Sequence, residues 1–292
     1  MRRPAAAPAF VEPGDVAIGR GRDAGLARSR LRGVQATPRL GRWDGALGRP
    51  RQPACDHEGM QVNVKICGIT RPDDARRAVD LGAWAIGLIF HPDSPRACPP
   101  EVAEEIGAEL RREVTVTGVF VNRPLEDVVD LADRCSLSLL QLHGDEGPAY
   151  CREAARRTGA RVMKAVRVRD ASTVRALAAW SVDLHLLDAH VPGGSRGGTG
   201  ETFNWELAGA HPGGTPIVLS GGLTPDSVAA GIAAVRPFAV DTASGTEAAP
   251  GRKDHAKLTA FFRAVDAASP RLETPVAGLE GGTELMSAGP QG

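Results

Sequence analysis

The strongest constraint on the fold is an eightfold alternation of two kinds of segment between Val62 and Ala268. Short runs rich in β-branched residues, typical of buried strands, alternate with Ala-rich amphipathic stretches, typical of helices. The predicted strands are VNVKICG from Val62, AIGLIF from Ala85, VTGVFV from Val116, LLQLHG from Leu139, VMKAVRV from Val162, LHLLDA from Leu184, PIVLSGG from Pro216 and FAVDTASG from Phe238. Their starts lie about 22 to 32 residues apart, the length of one strand, one loop and one helix.

Strict alternation predicts parallel strands joined by right-handed crossovers, either in an open doubly wound sheet or in a closed barrel. Eight cycles within about 207 residues favour the barrel. The first strand is followed by Cys67-Gly68-Ile69-Thr70 rather than by G-x-G-x-x-G, which argues against dinucleotide binding at that turn. We therefore predict an α/β fold with a single (β/α)8 TIM barrel.

Helix signals support this prediction. Thr70 is a candidate cap for the first helix, with Asp73 and Asp74 in its first turn. The sixth helix is the weak one, because only Asn204 to Gly209 has a helical pattern. A final helix is predicted from His255 to Ala268.

Composition divides the chain into three parts: residues 1–59, the barrel at residues 60–268, and a flexible tail at residues 269–292. The first segment has 9 Gly and 6 Pro and no helical or strand period, so we predict a disordered extension. It could be a basic arm for nucleic acid, a transit peptide, or sequence upstream of a true start at Met60. Six acids and the lack of an apolar stretch favour the last interpretation.

The net charge of zero is a sum of two opposite values. Before Met60 there are 11 Arg and 6 acids, a balance of +5, which leaves 24 bases and 29 acids, a balance of −5, for the rest. Neither this balance nor any apolar run favours nucleic acid or a membrane as a partner. The five cysteines include no C-x-x-C pair, so we predict a reduced, cytoplasmic protein without a disulfide framework.

In such barrels the active site lies at the carboxyl ends of the strands. Phosphate groups are often held after strands seven and eight, where glycine lets backbone N–H groups approach an anion. Gly221-Gly222 and Ser244-Gly245 occupy these positions and predict a phosphate site, although strand ends commonly contain glycine.

Two strand ends offer acid and base groups. Cys67 ends the first strand on the same side as Lys65, and a nearby cation favours a thiolate that could act as a base or nucleophile. Asp188 closes an apolar run, where burial raises the pKa of a carboxyl and permits general-acid chemistry. The alternatives are that Cys67 is a small buried hydrophobic residue and that Asp188 is a structural hydrogen-bonding group.

For the other polar residues at the strand ends, the sequence predicts a role less specifically. Arg96 could form two hydrogen bonds to a carboxylate or be merely solvated, and His143, beside Gln141, could line the pocket or be a satisfied structural histidine. Asp241 is expected to orient its neighbours. The glycine-rich segment 193–200 could be a lid or a floppy linker. Since no cluster has metal-ligand spacing, we expect no metal and no cofactor.

The strand ends resemble those of the phosphoribosylanthranilate isomerase family. The resemblance extends from about Val62 to Ala268. It rests on VKICGIT, the SPR before Ala97, GVFVN, QLHG, LLDA, GGTG followed by Phe203-Asn204-Trp205, LSGGLTP and VDTASGTEAAPGRKD. One departure is Thr242-Ala243-Ser244, where the family usually has Val-Ser-Ser, which puts one phosphate contact in question. The extension before Met60 is another.

The resemblance implies a cofactor-free Amadori rearrangement in tryptophan biosynthesis. Separately, a single small barrel without an evident extra interface predicts a monomer. Cys67 would be the general base and Asp188 the general acid, while Arg96 would bind the anthranilate carboxylate of the substrate. Lys65, Gln141, His143 and Asp241 are the other expected substrate-binding residues, and Gly221, Gly222, Ser244 and Gly245 the expected phosphate-binding residues. The rival hypotheses are a bifunctional histidine/tryptophan isomerase, which should carry Asp at the position of Cys67, and a non-catalytic barrel with a basic binding tail.

Overall fold

The computed structural model describes residues 61–188 and 205–269 of the 292-residue chain. Eight parallel strands close into a barrel in chain order, and β8 pairs with β1. The predicted TIM barrel is thereby confirmed. The extension at residues 1–59, the glycine-rich segment 193–200 and nearly all of the C-terminal tail lie outside the described residues.

The strands and helices alternate as predicted, apart from two irregular connections. The barrel strands are β1 (Asn63–Cys67), β2 (Ala85–Ile89), β3 (Thr115–Phe120), β4 (Leu139–Leu142), β5 (Arg161–Arg167), β6 (Leu184–Asp188), β7 (Ile217–Ser220) and β8 (Ala239–Thr242). The helices are α1 (Pro72–Asp80), α2 (Pro100–Leu110), α3 (Leu125–Arg134), α4 (Pro148–Thr158), α5 (Ala171–Arg175), α6 (Val228–Val235) and α7 (His255–Ala268). Short 3₁₀ helices occupy Ala176–Ala179, Trp205–Ala210 and Ser244–Thr246.

The apolar side chains form two main layers. The larger layer fills the space between the outer face of the strands and the surrounding helices, and it includes Phe261 and Phe262 of α7. A smaller cluster lies inside the barrel and includes Leu139, Met163, Leu186 and Ala239. Because strand side chains alternate between the two layers, every barrel strand is buried on both faces, as its apolar sequence predicted.

The start of α1 differs from the prediction. The capping position is Arg71, without a side-chain cap, and Pro72 occupies the first turn. The hydroxyl of Thr70 instead donates to the backbone carbonyl of Gly251. Asp74 in the first turn is buried and accepts a hydrogen bond from the backbone N–H of Lys253 at 3.0 Å. Thr70 and Asp74, just before and within the first turn of α1, therefore attach this part of the chain to the segment after β8.

A two-stranded hairpin, formed by β9 (Glu247–Ala249) and β10 (Arg252–Lys253), follows the last 3₁₀ helix. The sequence patterns did not predict it, because two strands of three and two residues are too short to show a period. It carries Glu247 and Lys253, two buried charged residues. This hairpin places both charges at the carboxyl end of the barrel.

A pair of histidines packs on the outer side of the barrel wall. The ring nitrogens His185 Nδ1 and His211 Nε2 lie 2.8 Å apart, and the backbone N–H of Gly213 donates to His211 Nδ1 at 3.2 Å. His211 must then carry its proton on Nε2 and donate to His185, whose own proton lies on Nε2. Within the described residues, that buried Nε2 has no hydrogen-bond partner.

Burial and the neighbouring His211 lower the pKa of His185 to about 4, and burial lowers the pKa of His211. Protons then bind the unfolded chain more readily than the folded one. We expect the free energy of unfolding to be highest above pH 6.5 and to fall towards pH 4, by at most about 3 kcal/mol for His185.

Urea unfolding at a series of pH values measures this dependence. His185→Gln should flatten the slope, while the matched His91→Gln, in the loop after β2, should retain it. Equal slopes in His185→Gln and the unsubstituted chain would contradict the prediction.

Candidate active site

We call the line along which β1 pairs with β8 the seam of the barrel, and a buried ion pair lies on it. Lys65 Nζ lies 2.7 Å from Asp241 Oδ1, and Ser220 donates its hydroxyl to Asp241 Oδ2 at 3.0 Å. Burial alone would lower the pKa of Lys65, but Asp241 and Cys67 together raise it. The lysine stays charged although none of its side chain is exposed. Asp241 thus contacts both Lys65 and Ser220, whereas the substrate-binding roles of Asp241 and Lys65 stay predictions.

Cys67 faces the barrel interior at the carboxyl end of β1. Opposite it lies Gly87, where a Cβ would stand 2.8 Å from the Cys67 Sγ and 3.1 Å from the Lys65 Nζ. Any side chain at position 87 would fill the space that the thiol and the ammonium occupy. Sequence reasoning missed Gly87, since a glycine inside a strand is otherwise only a weak pattern.

The ionisation of Cys67 reflects two opposing effects. Burial raises its pKa, while Lys65 and Lys253 lower it, and the net shift is upward. The predicted influence of a neighbouring cation is therefore present and has the predicted direction. Burial outweighs it, so the thiol form of Cys67 is more favoured than in an exposed cysteine.

Lys253 of β10 links three parts of the site. Its ammonium donates to the carbonyl of Cys67 at 2.7 Å and to the carbonyl of Ala243 at 3.0 Å, and it lies 3.3 Å from Glu247 Oε1. Burial lowers the pKa of Lys253, and Glu247 opposes that shift. The lysine thus connects the end of β1, the loop after β8 and the hairpin.

Arg96, in the loop after β2, forms a double ion pair with Glu247. Its Nε lies 2.8 Å and 3.0 Å from the two carboxylate oxygens, and its Nη2 lies 2.7 Å from Oε2. The sequence suggested that Arg96 could form two hydrogen bonds to a carboxylate. In the structure, the Glu247 carboxylate of the protein itself forms such bonds. Glu247 itself was not predicted as a site residue.

Asp188 and His143 meet on the other side of the barrel mouth. The His143 Nε2 lies 3.4 Å from Asp188 Oδ2, and Gln141 Nε2 lies 3.5 Å from His143 Nδ1. Asp188 ends β6 with about a quarter of its side chain exposed, at 23%, so the predicted half-buried carboxyl is present. In the closed strand order, β7 and β8 separate it from Cys67 on β1.

A second buried ion pair supports the loop that carries His143. Lys164 Nζ lies 2.9 Å from Glu146 Oε2 and donates to the carbonyl of Gly144 at 2.6 Å. The Glu146 carboxylate also accepts the backbone N–H groups of Asn122 and Gly144, both at 2.8 Å. These contacts hold the loops after β3 and β4 together. Neither charged residue was predicted from the sequence.

The loops after β7 and β8 touch through their backbones. A Cβ at Gly245 would lie 1.9 Å from the carbonyl oxygen of Leu223, so only glycine fits there. Thr242 donates its hydroxyl to the same carbonyl at 2.7 Å. Gly222 has φ +67 with open space beside its Cα, and both it and Ser244 are exposed. The four predicted phosphate-binding residues are therefore brought together, and Thr242 uses its hydroxyl to join their loops.

Three further observations concern the described part of the chain as a whole. Within residues 61–188 and 205–269, no group of three or more His, Cys, Asp or Glu could hold a metal ion. The four cysteines in those residues are free thiols. No helix of the described part is both long enough and apolar enough to cross a membrane.

The sequence of the barrel matches a known protein family and individual members of it. The family described as N-(5'phosphoribosyl)anthranilate (PRA) isomerase matches residues 64–264. The N-(5'-phosphoribosyl)anthranilate isomerase of Geobacter metallireducens is 50% identical over 202 residues, which are 69% of this chain and 98% of the relative. That of Moorella thermoacetica is 48% identical over 218 residues, 74% of this chain and 95% of the relative.

Solved structures of the same family are also similar to this chain. The phosphoribosyl anthranilate isomerase of Thermotoga maritima has a TM-score of 0.64 and 42% identity, and the match covers 70% of this chain and 99% of that one. A second, with a TM-score of 0.61 and 40% identity over 70% of this chain and 99% of the other, is in complex with reduced 1-(o-carboxyphenylamino)-1-deoxyribulose 5-phosphate. With a family match across most of the barrel and relatives covered almost end to end, this chain belongs to the phosphoribosylanthranilate isomerase family.

Proposed function

We propose that this chain converts N-(5-phosphoribosyl)anthranilate to 1-(2-carboxyphenylamino)-1-deoxyribulose 5-phosphate, a step of tryptophan biosynthesis, with Cys67 as general base and Asp188 as general acid. The observation that carries the assignment is their placement. Both end parallel strands at the same mouth of one barrel, Cys67 beside two lysines and Asp188 beside His143.

In the first step, protonated Asp188 donates its proton to the furanose ring oxygen. The bond between that oxygen and C1′ breaks, and the nitrogen lone pair forms a protonated Schiff base. The exposed edge of the Asp188 carboxyl lets it reach a substrate in the mouth of the barrel. His143 Nε2 lies 3.4 Å from that carboxyl and has no hydrogen-bond partner among the described residues, so it is free to bond to Asp188 or to the substrate.

In the second step, Cys67, whose resting thiol has first released its proton to solvent, removes the proton from C2′ as the thiolate. The electrons of the C–H bond form a C1′–C2′ double bond and neutralise the iminium nitrogen, which gives an enolamine that tautomerises to the ketone. Lys65 and Lys253 stabilise the thiolate that this step needs. Acid and base positions at different strand ends let each group act on its own side of one sugar.

Binding groups at the two ends of the substrate fix the reacting carbons. Gly221, Gly222, Ser244 and Gly245 hold the phosphate through backbone N–H groups and the Ser244 hydroxyl. Arg96 binds the carboxylate of the anthranilate ring, and Gln141 and His143 line the wall between. Binding energy gained far from C1′ and C2′ then positions those atoms for proton transfer.

The remaining parts of the proposal concern the state of the protein. We infer a cytoplasmic monomer that needs no cofactor. The residues proposed as acid, base and anion-binding groups all lie in one barrel, which supports a monomer as a sufficient unit. Sedimentation of the purified protein tests this inference, and a stable dimer would overturn it.

The activity is tested by supplying phosphoribosyl anthranilate to the purified chain and following the decay of its anthranilate fluorescence. We expect decay far faster than spontaneous breakdown, with formation of the carboxyphenylamino ribulose phosphate confirmed by mass spectrometry. Decay at the spontaneous rate would overturn the proposed function.

The state of Cys67 gives a separate prediction. Because burial raises its pKa above the ordinary value of 9.0, we expect the thiol form of Cys67 to predominate in the free enzyme at neutral pH, with the thiolate as the minor, reactive form. Ultraviolet absorbance of thiolate is recorded across a pH titration, and the spectrum of Cys67→Ser is subtracted to isolate this group. A predominant thiolate signal from Cys67 at neutral pH would contradict the prediction.

A further inference from the structure

We propose that Glu247 is a positioning residue, which holds the guanidinium of Arg96 with one edge turned to the carboxylate of the substrate. The inference rests on the proposed function, because it names the anion that the free edge receives. Glu247 lies in the hairpin after β8 and Arg96 in the loop after β2, so the contact exists only in the closed barrel.

The hydrogen bonds between the two side chains leave a defined part of Arg96 available. Glu247 accepts from Nε and from Nη2, the side edge of the guanidinium. The adjacent terminal edge consists of one N–H of Nη1 and the second N–H of Nη2, and the hydrogen bonds of Arg96 to described residues come from Nε and Nη2, not from Nη1. That edge presents two parallel N–H groups, the arrangement that binds a second carboxylate in bidentate fashion.

The two side chains of the pair differ in how much of each is exposed. The Glu247 side chain is 4% exposed and that of Arg96 is 19% exposed. The anion is thus covered by protein, whereas part of the cation is exposed to solvent. A ligand can approach the arginine without displacing its internal partner.

Both ends of the arrangement are fixed by other contacts. The Glu247 carboxylate also accepts from the backbone N–H of Gly251 at 3.2 Å and lies 3.3 Å from Lys253 Nζ, so it cannot rotate freely. The stem of Arg96 packs over Gly68, where a Cβ would stand 2.8 Å from the Arg96 Cδ. Stem and head of the arginine are therefore both held.

The charges of the cluster also fit an anionic ligand. Arg96 and Lys253 contribute two positive charges against the single carboxylate of Glu247, which leaves one positive charge uncompensated within the cluster. Hydrogen bonding to Arg96 and the neighbouring Lys253 overcome the effect of burial and lower the pKa of Glu247. A substrate carboxylate would neutralise the remaining charge at the edge that Arg96 presents.

The test compares two substrates in the full chain: phosphoribosyl anthranilate and the phosphoribosyl aniline that lacks the ring carboxylate. For Glu247→Gln we expect KM for the carboxylated substrate to rise about tenfold, while kcat changes by less than about threefold, because a misplaced charge-assisted hydrogen bond weakens binding of that end. With the aniline substrate, KM of the variant should equal that of the unsubstituted chain within about twofold.

A second comparison needs only the carboxylated substrate. If Glu247 acts through Arg96, the double variant Arg96→Lys with Glu247→Gln should bind no worse than Arg96→Lys alone. Glu247→Asp covers the case in which Glu247→Gln does not fold, because it keeps the charge and shortens the side chain by one methylene. We expect its KM to lie between those of the unsubstituted chain and Arg96→Lys.

The outcomes separate the inference from the proposed function. No conversion of phosphoribosyl anthranilate by the unsubstituted chain would be a failure of the function, seen before any variant is made. Normal conversion with an equal rise in KM for both substrates would overturn the positioning role. Additive losses in the double variant, or an unchanged KM in Glu247→Asp, would overturn it as well.

Discussion

Cys67→Ser is expected to lower kcat by about 10³-fold while the barrel stays folded. Serine has nearly the shape of cysteine and fits the space beside Gly87, so the surroundings need not move. Its hydroxyl is a far weaker acid than a thiol, and the flanking lysines cannot turn it into an effective base. Losing a positioned general base removes about 10²- to 10⁴-fold in rate. Steady-state kinetics with phosphoribosyl anthranilate measures the loss, and circular dichroism checks the fold.

The matched control is Cys135→Ala, which removes a free buried cysteine just after α3, on the helical side of the barrel wall. Its turnover per folded molecule should equal that of the unsubstituted chain. Turnover close to normal in Cys67→Ser would remove the base from the mechanism. A comparable loss in Cys135→Ala would show that the effect comes from disturbed packing.

Asp188→Asn is the second substitution with a large expected effect. The amide keeps the size of the carboxyl and can still lie beside His143, but it has no acidic proton to give to the ring oxygen. We expect kcat to fall by about 10²- to 10⁴-fold with little change in KM, because only the transition state loses an interaction.

Asp93→Asn, in the exposed loop after β2, is the control for charge removal near the barrel mouth. It should leave kcat and KM unchanged. A kcat for Asp188→Asn within a few fold of normal would mean that another group protonates the ring oxygen. The proposed division of roles between the two strand ends would then be wrong.

The fold could be predicted because its signals are local. A strand of apolar residues and an amphipathic helix each show their period within ten or so positions, and the final helix was predicted with the bounds that the structure has, His255–Ala268. Even the weak sixth helix appears as a 3₁₀ segment at Trp205–Ala210. The cap at Thr70 was wrong because the hydroxyl bonds to Gly251, far away in the chain.

The site was predictable only in part. Residues at strand ends were found because the barrel itself dictates where they meet. The charges that support them were not, since Glu247 and Lys253 lie in a hairpin too short to show a strand period. Likewise no motif or spacing in the sequence marks Glu146 and Lys164 as partners, and the fold buries them against each other. The pairing of charges in a closed barrel depends on contacts between residues that are far apart in the chain. Local sequence patterns do not predict such contacts.

The seam between β1 and β8 has a consequence for how activity relates to folding. Lys65 and Asp241 are 176 residues apart in the chain, and Lys253 and Cys67 are 186 apart. Bringing such distant segments together is the entropically costly event in forming a barrel, and an unclosed sheet would keep two open edges. A partly assembled chain therefore lacks the electrostatic surroundings of its base. The turnover number of this protein therefore depends on closure of the eight-stranded barrel. Conditions that separate β1 from β8 should abolish turnover before the helical circular dichroism signal is lost.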